Sequence, residues 1–227
     1  MTTISAPVRT HGSCDRPTAV TRSLLGYGVL AGPAYVTVSL AQALTRDGFD
    51  LARHPWSLLC DGPYGWIQVT NFVLAGLMTI AFAGGLRRAL RPGPAATWAP
   101  RLVGTYGVSL VAAGVFRADP ADGFPAGTPA GAGEVSWHGG VHMLAGAVGF
   151  GCLIAACMLI GRRFGAEGRR GWAAFSRVTG VAFLVAFAGI ASGTTSPATT
   201  VPFVAAVVLV SAWTSALAAH LYNRTGS

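Results

Sequence analysis

The chain contains no lysine and little acid. Its 16 basic residues are all arginine, Asp and Glu together number only 8, and the formal net charge is +8. Charged residues make up 11% of the 227 residues and hydrophobic residues 52%, whereas soluble domains carry about 25% charge. This balance excludes an ordinary soluble domain and indicates a protein whose partner is the lipid bilayer. A nucleic-acid partner is not expected, because most arginines lie in short connections where they suit anionic lipid head groups.

Cysteine is also scarce. The four cysteines are Cys14, Cys60, Cys152 and Cys157, and their spacing fits neither a disulfide framework nor a Cys-x-x-Cys site. Cys152 and Cys157 are five positions apart in one apolar segment, so they point to different faces of a helix. We expect them to pack as small apolar residues.

Long apolar segments are what the sequence has in abundance. Six of them suit a hydrocarbon layer of roughly 30 Å, at residues 24–44, 66–86, 100–116, 141–160, 172–191 and 201–221. The third has the shortest uninterrupted apolar part and could borrow a turn from Trp98 onward. We therefore predict an all-α fold, a polytopic membrane bundle of six transmembrane helices over residues 24–222. Residues 1–23 are predicted to be a disordered cytoplasmic tail, and 223–227 a short cytoplasmic tail.

The arginines are distributed unevenly between alternate connections. Thirteen lie before the first apolar segment or after every second one, and only Arg46, Arg53 and Arg117 lie in the others. Because cytoplasmic connections carry the excess of arginine, both termini are predicted to be cytoplasmic. Ala41-Gln42-Ala43 also resembles a signal-peptide cleavage site, although the preceding run is long for a signal core. The use of arginine alone suits a GC-rich genome, and a bacterial cytoplasmic membrane is the expected location.

Two histidines open the fourth apolar segment. Ser136 is a suitable helix N-cap, and His138 and His142 follow one turn apart on one helical face. That face continues with small residues, so another helix is expected to pack there. An ionisable pair that faces the bundle interior at the membrane edge is a candidate functional site. The two imidazoles could fasten this helix to its neighbours, ligate one divalent metal, or serve metal-free proton transfer and substrate binding.

A divalent metal would need a third ligand, which could come from His54, Asp119 or Asp122. A haem is not expected, because neighbours on one helix cannot approach opposite faces of a macrocycle. The next histidine in the spans, His220, lies about 30 Å away by helix rise. The cofactor therefore stays open between a divalent metal and none.

The other candidate residues lie at the same end of the predicted bundle. Gln68 and Asn71 share one face of the second segment, and amides in lipid need partners, so they either bind a ligand or join helices. We assign catalytic roles to His138, His142, Asp119 and Asp122, and substrate binding to Gln68, Asn71, Arg117, Asp50 and His54.

Four stretches carry a family resemblance. They are Arg53-His54-Pro55-Trp56-Ser57-Leu58-Leu59, Gly65-Trp66-Ile67-Gln68-Val69-Thr70-Asn71-Phe72, Ala118-Asp119-Pro120 with Gly123-Phe124-Pro125-Ala126-Gly127-Thr128-Pro129, and Ser136-Trp137-His138-Gly139-Gly140-Val141-His142. In these stretches the sequence resembles the bacterial membrane family known as domain of unknown function 998, over roughly residues 24–222. The resemblance implies a six-span membrane protein and brings no activity or catalytic residues with it.

Three functions remain open. The first is a membrane-embedded enzyme that acts on a lipidic, isoprenoid or amphiphilic small molecule in an outward-facing His/Asp pocket. The second is a small-molecule carrier or efflux protein, for which the Gly32-Pro33 interruption is the only sign of a broken helix. The third is a non-catalytic assembly partner that uses Gly28-x-x-x-Gly32 between proteins.

Overall fold

The computed structural model describes residues 16–90, 92–131, 133–193 and 196–225. Within these ranges the chain is helical and forms no β-strand, so the predicted all-α fold is confirmed. The helices are α1 (Arg16–Thr45), a 3-10 helix (Trp56–Cys60), α2 (Gly65–Ala89), α3 (Pro94–Val115), α4 (Trp137–Ala166), α5 (Arg170–Ala191) and α6 (Pro197–Arg224). Five of them, α1, α2, α4, α5 and α6, are long and apolar enough to cross a membrane. The protein is an integral membrane protein.

The six α-helices form a closed ring. Each packs on its neighbours in sequence, and α6 packs on α1. Large buried side chains fill much of the ring, among them Phe82, Phe164, Phe183 and Trp213. Trp213 donates its indole N–H to Ser176 at 3.0 Å, which satisfies a polar group that could not otherwise be buried without a large penalty. The ring arrangement places one face of every helix toward a common interior.

Glycines allow close approach between α2 and α3. A Cβ atom on Gly76 would lie 2.6 Å from the carbonyl oxygen of Gly107, and one on Gly107 would lie 2.8 Å from that of Gly76. Both distances are too short for any side chain. The two backbones are therefore in direct contact, as expected where small residues join membrane helices.

The Gly28-x-x-x-Gly32 face lies inside the same chain. A Cβ atom on Gly28 would overlap the ring of Phe82 and press on Ala218, and one on Gly32 would meet the carbonyl oxygen of Ser211. The face is occupied by α2 and α6. The face is therefore not free to bind another protein, and it does not support the hypothesis of a non-catalytic assembly partner.

Two helices begin before the apolar segments that were predicted for them. Helix α1 begins at Arg16, so residues 16–23 are helical, although the sequence assigned them to the tail; residues 1–15 lie outside the described ranges. Thr21 explains the difference, because its hydroxyl donates to the carbonyl of Pro17 and accepts from Nε of Arg88. Helix α3 begins at residue 94 instead of 100, where Gly93, with φ of 119°, turns the chain into the helix.

Candidate functional site

His142 is held in one tautomer by the end of α3. Its Nδ1 lies 3.1 Å from the carbonyl oxygen of Ala113 and 3.0 Å from that of Phe116. Carbonyl oxygens only accept hydrogen bonds, so Nδ1 carries the proton. Nε2 then keeps its lone pair, and none of the described residues hydrogen-bonds to it. The imidazole is thus oriented by two carbonyls and retains one basic nitrogen.

A cavity of about 80 Å³ opens beside His142, in the half of the ring that holds the start of α4, which we call the outer half. The aromatic side chains that line it come from α1, the 3-10 helix, α2, α3, α4 and α6, and they are Tyr35, Trp56, Phe72, Tyr106, Phe150 and Phe203. Ser57 and Ser109 add hydroxyl groups, and Ser109 donates to the carbonyl of Tyr106 at 2.8 Å. A mostly apolar lining with a few placed polar groups is typical of small-molecule sites, although the volume is smaller than the roughly 300–1,000 Å³ of most such sites.

A second, smaller cavity continues along the ring interior. It has a volume of about 20 Å³ and shares Tyr35, Tyr106 and Leu110 with the first. Its far end reaches Ser211 and Thr214 of α6. The two cavities therefore lie in line along the bundle axis.

His138 lies one turn outward from His142, at the start of α4. Its Nδ1 is 3.2 Å from the carbonyl oxygen of Arg117 and 3.6 Å from a carboxylate oxygen of Asp119. Asp119 accepts from the backbone N–H of Ser136 at 2.8 Å and from its hydroxyl at 2.6 Å. Ser136 accepts in turn from the N–H of Gly139, so the predicted N-cap is confirmed. Asp119 anchors the start of α4 and holds His138 toward the end of α3.

Asp61 is a buried acid that the sequence pattern does not mark as a site residue. It is 7% exposed, and one of its carboxylate oxygens is buried with no hydrogen bond from the described residues. The pKa of Asp61 is raised to about 6, chiefly by burial and also by the charge of Asp119, whereas Arg117, Arg46 and His138 lower it. Nothing in the local sequence distinguishes Asp61, because the charges around it come from the connections after α1 and α3 and from the start of α4. Together these five residues form the outer charged cluster.

The predicted residues His54, Asp50 and Asp122 belong to a separate contact between two outer connections. His54 is 3% exposed; its Nδ1 accepts from the N–H of Asp50 at 2.9 Å, and its Nε2 donates to the carbonyl of Asp122 at 3.0 Å. Beside it, the rings of Phe49 and Phe124 meet edge to face at 5.1 Å. Both nitrogens of His54 are used. The imidazole fastens the connection after α1 to the connection after α3.

Gln68 and Asn71 belong to a buried polar network between α1 and α2. The side-chain oxygen of Gln68 accepts from Gln42 at 2.8 Å and from Asn71 at 3.2 Å, and its amide donates to Ser39 at 3.0 Å. Asn71 also donates to the carbonyl of Tyr35 at 3.1 Å. Neither amide lines the cavity beside His142. In this arrangement the two amides join α1 to α2. This is the second of the two roles expected from the sequence, the first being ligand binding.

The predicted pocket differs from the observed cavity in its acids. Asp119 and Asp122 do not line it, because Asp119 caps α4 and Asp122 lies in the loop beyond. Among the described residues no three His, Cys, Asp or Glu side chains converge in a way that could hold a metal ion. Asp119 lies beside His138, but Asp119, His138 and His142 do not form such a group, and His54 and Asp122 belong to a separate contact.

The cavity residues Tyr35, Tyr106, Phe150 and Phe203 were not identified from the sequence. Each is an ordinary apolar position of its own helix, and their meeting depends on how α1, α3, α4 and α6 pack. Trp56 was noted only as part of the family resemblance. The site is formed by the packing of these helices and does not correspond to a sequence motif.

Comparison with protein families identifies the chain. The model of the family described as protein of unknown function (DUF998) matches residues 29–220. The chain belongs to this family. The match covers the 3-10 helix, α2, α3, α4 and α5 completely and most of α1 and α6, so the cavity and the outer charged cluster both lie within the family domain. Neither the curated proteins nor the solved structures give a match.

Proposed function

We propose that this protein spans a bacterial cytoplasmic membrane six times, with both termini in the cytoplasm, and binds a hydrophobic or amphiphilic small molecule beside His142. The observation that carries the proposal is the aromatic cavity inside the ring, with one imidazole among its lining residues. The apolar lining suits a molecule that enters from lipid. Nε2 of His142 supplies the polar contact.

Contacts between connections support six spans. His54 joins the connection after α1 to the connection after α3, and Thr200 at the start of α6 donates to the carbonyl of Arg53 at 3.2 Å. Three connections therefore lie at one end of the ring. Helix α3 accordingly has to run from one end of the ring to the other, as its neighbours do. Arg163 donates to the carbonyl of Leu90 at the opposite end. That end carries most of the arginines, which favours a cytoplasmic position.

The proposal extends to catalysis through Nε2 of His142. With Nδ1–H fixed on two carbonyls, Nε2 can take a proton from a hydroxyl group or a water molecule, as a general base does. Arg117 and His138, one turn further out, would contact an anionic head group of the same molecule. Hydrolysis or modification of a lipid or isoprenoid suits this location.

Cavity filling tests the binding site. Gly146 lines the cavity, and a Cβ atom there would have only the ring of Phe150 nearby, at 3.8 Å. Gly146→Leu should fill the space without a backbone clash. Gly151→Leu is the matched control, because Gly151 lies on the exposed face of the same helix with nothing within 4 Å of its Cβ position.

The probe is a decanoic acid analogue that carries an alkyl diazirine, photolysed with the purified protein in bilayer nanodiscs and located by peptide mass spectrometry. We expect labelling of cavity residues in the wild type and in Gly151→Leu, and loss of that labelling in Gly146→Leu. Equal labelling in both variants, or labelling confined to lipid-facing residues, would reject the binding site.

A carrier is the second candidate function, and the second cavity favours it. The two cavities lie in line and share Tyr35, Tyr106 and Leu110, so together they extend from the outer half of the ring toward its middle. A carrier should lose probe uptake into proteoliposomes when Tyr106 is replaced by Trp, and should keep it in His142→Asn. If the protein is an enzyme that uses His142 as its base, its turnover should instead be lost in His142→Asn.

A further inference from the structure

A second cleft lies at the other end of the bundle, where α2 ends and α3 begins. Its volume is about 430 Å³. Arg87 from the last turn of α2 and Arg101 from α3 line it on two sides, and the small residues Ala83, Gly84 and Ala96 line it between them. The cleft is separate from the His142 cavity, with which it shares no residue.

The two arginines have no carboxylate partner among the described residues. Glu167, the one acid described at this end, pairs with Arg163 at 2.8 Å. The guanidinium of Arg101 instead lies 5.3 Å from the centre of the Trp98 ring. Two guanidinium groups that share one cleft without a counter-charge favour an anion, and guanidinium pairs with phosphate in a bidentate geometry.

The surroundings of the cleft suit a lipid better than a free anion. Trp98 is 56% exposed beside Arg101, in the position that tryptophan prefers at a membrane interface. Toward the middle of the helices the same outer faces continue with exposed Leu77 and Ile80 of α2 and Val108 of α3. A head group bound between the arginines would place its acyl chains on this apolar surface.

We propose that the cleft between Arg87 and Arg101 binds the phosphate head group of an anionic phospholipid. The inference rests on the proposed topology, because it needs this end of α2 and α3 at the membrane surface. It does not rest on ligand binding beside His142. Basic pockets between membrane helices at the cytoplasmic surface are a recognised type of lipid site.

The test measures retention of phosphatidylglycerol by native mass spectrometry, after reconstitution in vesicles of phosphatidylcholine and phosphatidylglycerol and stepwise delipidation. The variant is Arg87→Gln with Arg101→Gln. The matched control is Arg162→Gln with Arg170→Gln, which removes the same charge from exposed residues at the same end. Photolabelling of the His142 cavity in the cleft variant reports separately on the proposed function and should not change.

We expect the cleft variant to retain about tenfold less phosphatidylglycerol than the wild type, because it loses two direct guanidinium–phosphate contacts. The control should retain no more than about threefold less, because its two arginines line no common cleft and contribute only a diffuse, salt-screened attraction. Equal losses in the two variants would overturn the proposal, because they would show only a diffuse charge effect. Displacement of the lipid by millimolar inorganic phosphate would also overturn it, since the cleft would then be a site for the free anion.

Discussion

At the scale of single residues, the two ring nitrogens of His142 have different surroundings. Nδ1–H donates to the carbonyls of Ala113 and Phe116, whereas Nε2 has no hydrogen-bond partner among the described residues and is the nitrogen that the proposed function uses. Its neighbour His138 is likewise held through Nδ1, by the carbonyl of Arg117. The structural and the chemical interpretations of the histidine pair are therefore not exclusive: one nitrogen of each ring fastens the helix, and the other remains available.

Substitution of His142 should separate the two roles. His142→Asn keeps an amide donor near the two carbonyls, whereas His142→Phe leaves them buried without it. We expect His142→Phe to lower the free energy of unfolding by about 1–3 kcal/mol and His142→Asn by clearly less, while both lose the contact through Nε2. Unfolding in mixed detergent, followed by circular dichroism, measures the difference. Equal destabilisation would mean that Nδ1–H does not hold the helix.

Asp61 should make the stability depend on pH. Its pKa is about 6 in the folded protein against 3.8 for the free side chain, so folding favours the protonated acid. Stability from this group is then full below pH about 4 and is lost as pH rises through about 6. Asp61→Asn should flatten this part of the pH–stability curve and be more stable than the wild type above pH about 7. A variant with the same pH dependence as the wild type would contradict the assignment.

At the scale of helices, the contact between Gly76 and Gly107 holds α3 in the ring. A methyl group at Gly107 would press on backbone atoms of α2, and overpacking of this kind costs about 1–3 kcal/mol. Gly104 lies one turn earlier on α3, where a Cβ atom would make an ordinary contact with Ala83 at 3.6 Å.

Gly107→Ala should therefore lower the free energy of unfolding by about 1–3 kcal/mol, and Gly104→Ala should leave it unchanged or raise it by up to about 1 kcal/mol, because alanine favours a helix. Detergent unfolding of the two variants side by side measures this. A Gly107→Ala protein as stable as Gly104→Ala would show that the two backbones do not meet.

The helices could be predicted from sequence because apolar runs and arginine-rich connections depend only on local composition. The start of α4 could be predicted too, since Ser136 is an N-cap in the sequence and in the structure. The start of α1 could not, because residues 16–23 are held by Arg88 of α2 and by Tyr222 of α6, whose ring carries the guanidinium of Arg22 at 4.4 Å. The cavity could not either, because it forms only when α6 closes on α1.

At the scale of the whole molecule, the two ends of the ring differ in charge and in chemistry. The end with the histidines holds the buried acid, the outer charged cluster and the cavity, and the opposite end holds the arginine cleft. The excess of arginine at the opposite end favours the proposed orientation, in which that end is cytoplasmic. It also implies that a ligand beside His142 and a lipid beside Arg87 would be bound from opposite sides of the membrane.

The most direct test of this arrangement is the side of the membrane on which each connection lies. Asp47→Cys in the connection after α1, Ala126→Cys in the connection after α3, and Ala166→Cys at the end of α4 are all exposed positions. They are introduced one at a time with Cys14→Ser, and treated in intact cells with a membrane-impermeant maleimide. Cys60 should stay silent, because it is buried and burial raises its pKa to about 12.

With six spans and both termini in the cytoplasm, the maleimide should label Asp47→Cys and Ala126→Cys in intact cells, and Ala166→Cys only after permeabilisation. Because α2 is long and apolar enough to cross a membrane, labelling of the first two variants on the same side means that α3 crosses as well, which places the His142 cavity at the outer face. Labelling of positions 47 and 126 on opposite sides would contradict six spans, and with them the site proposed here.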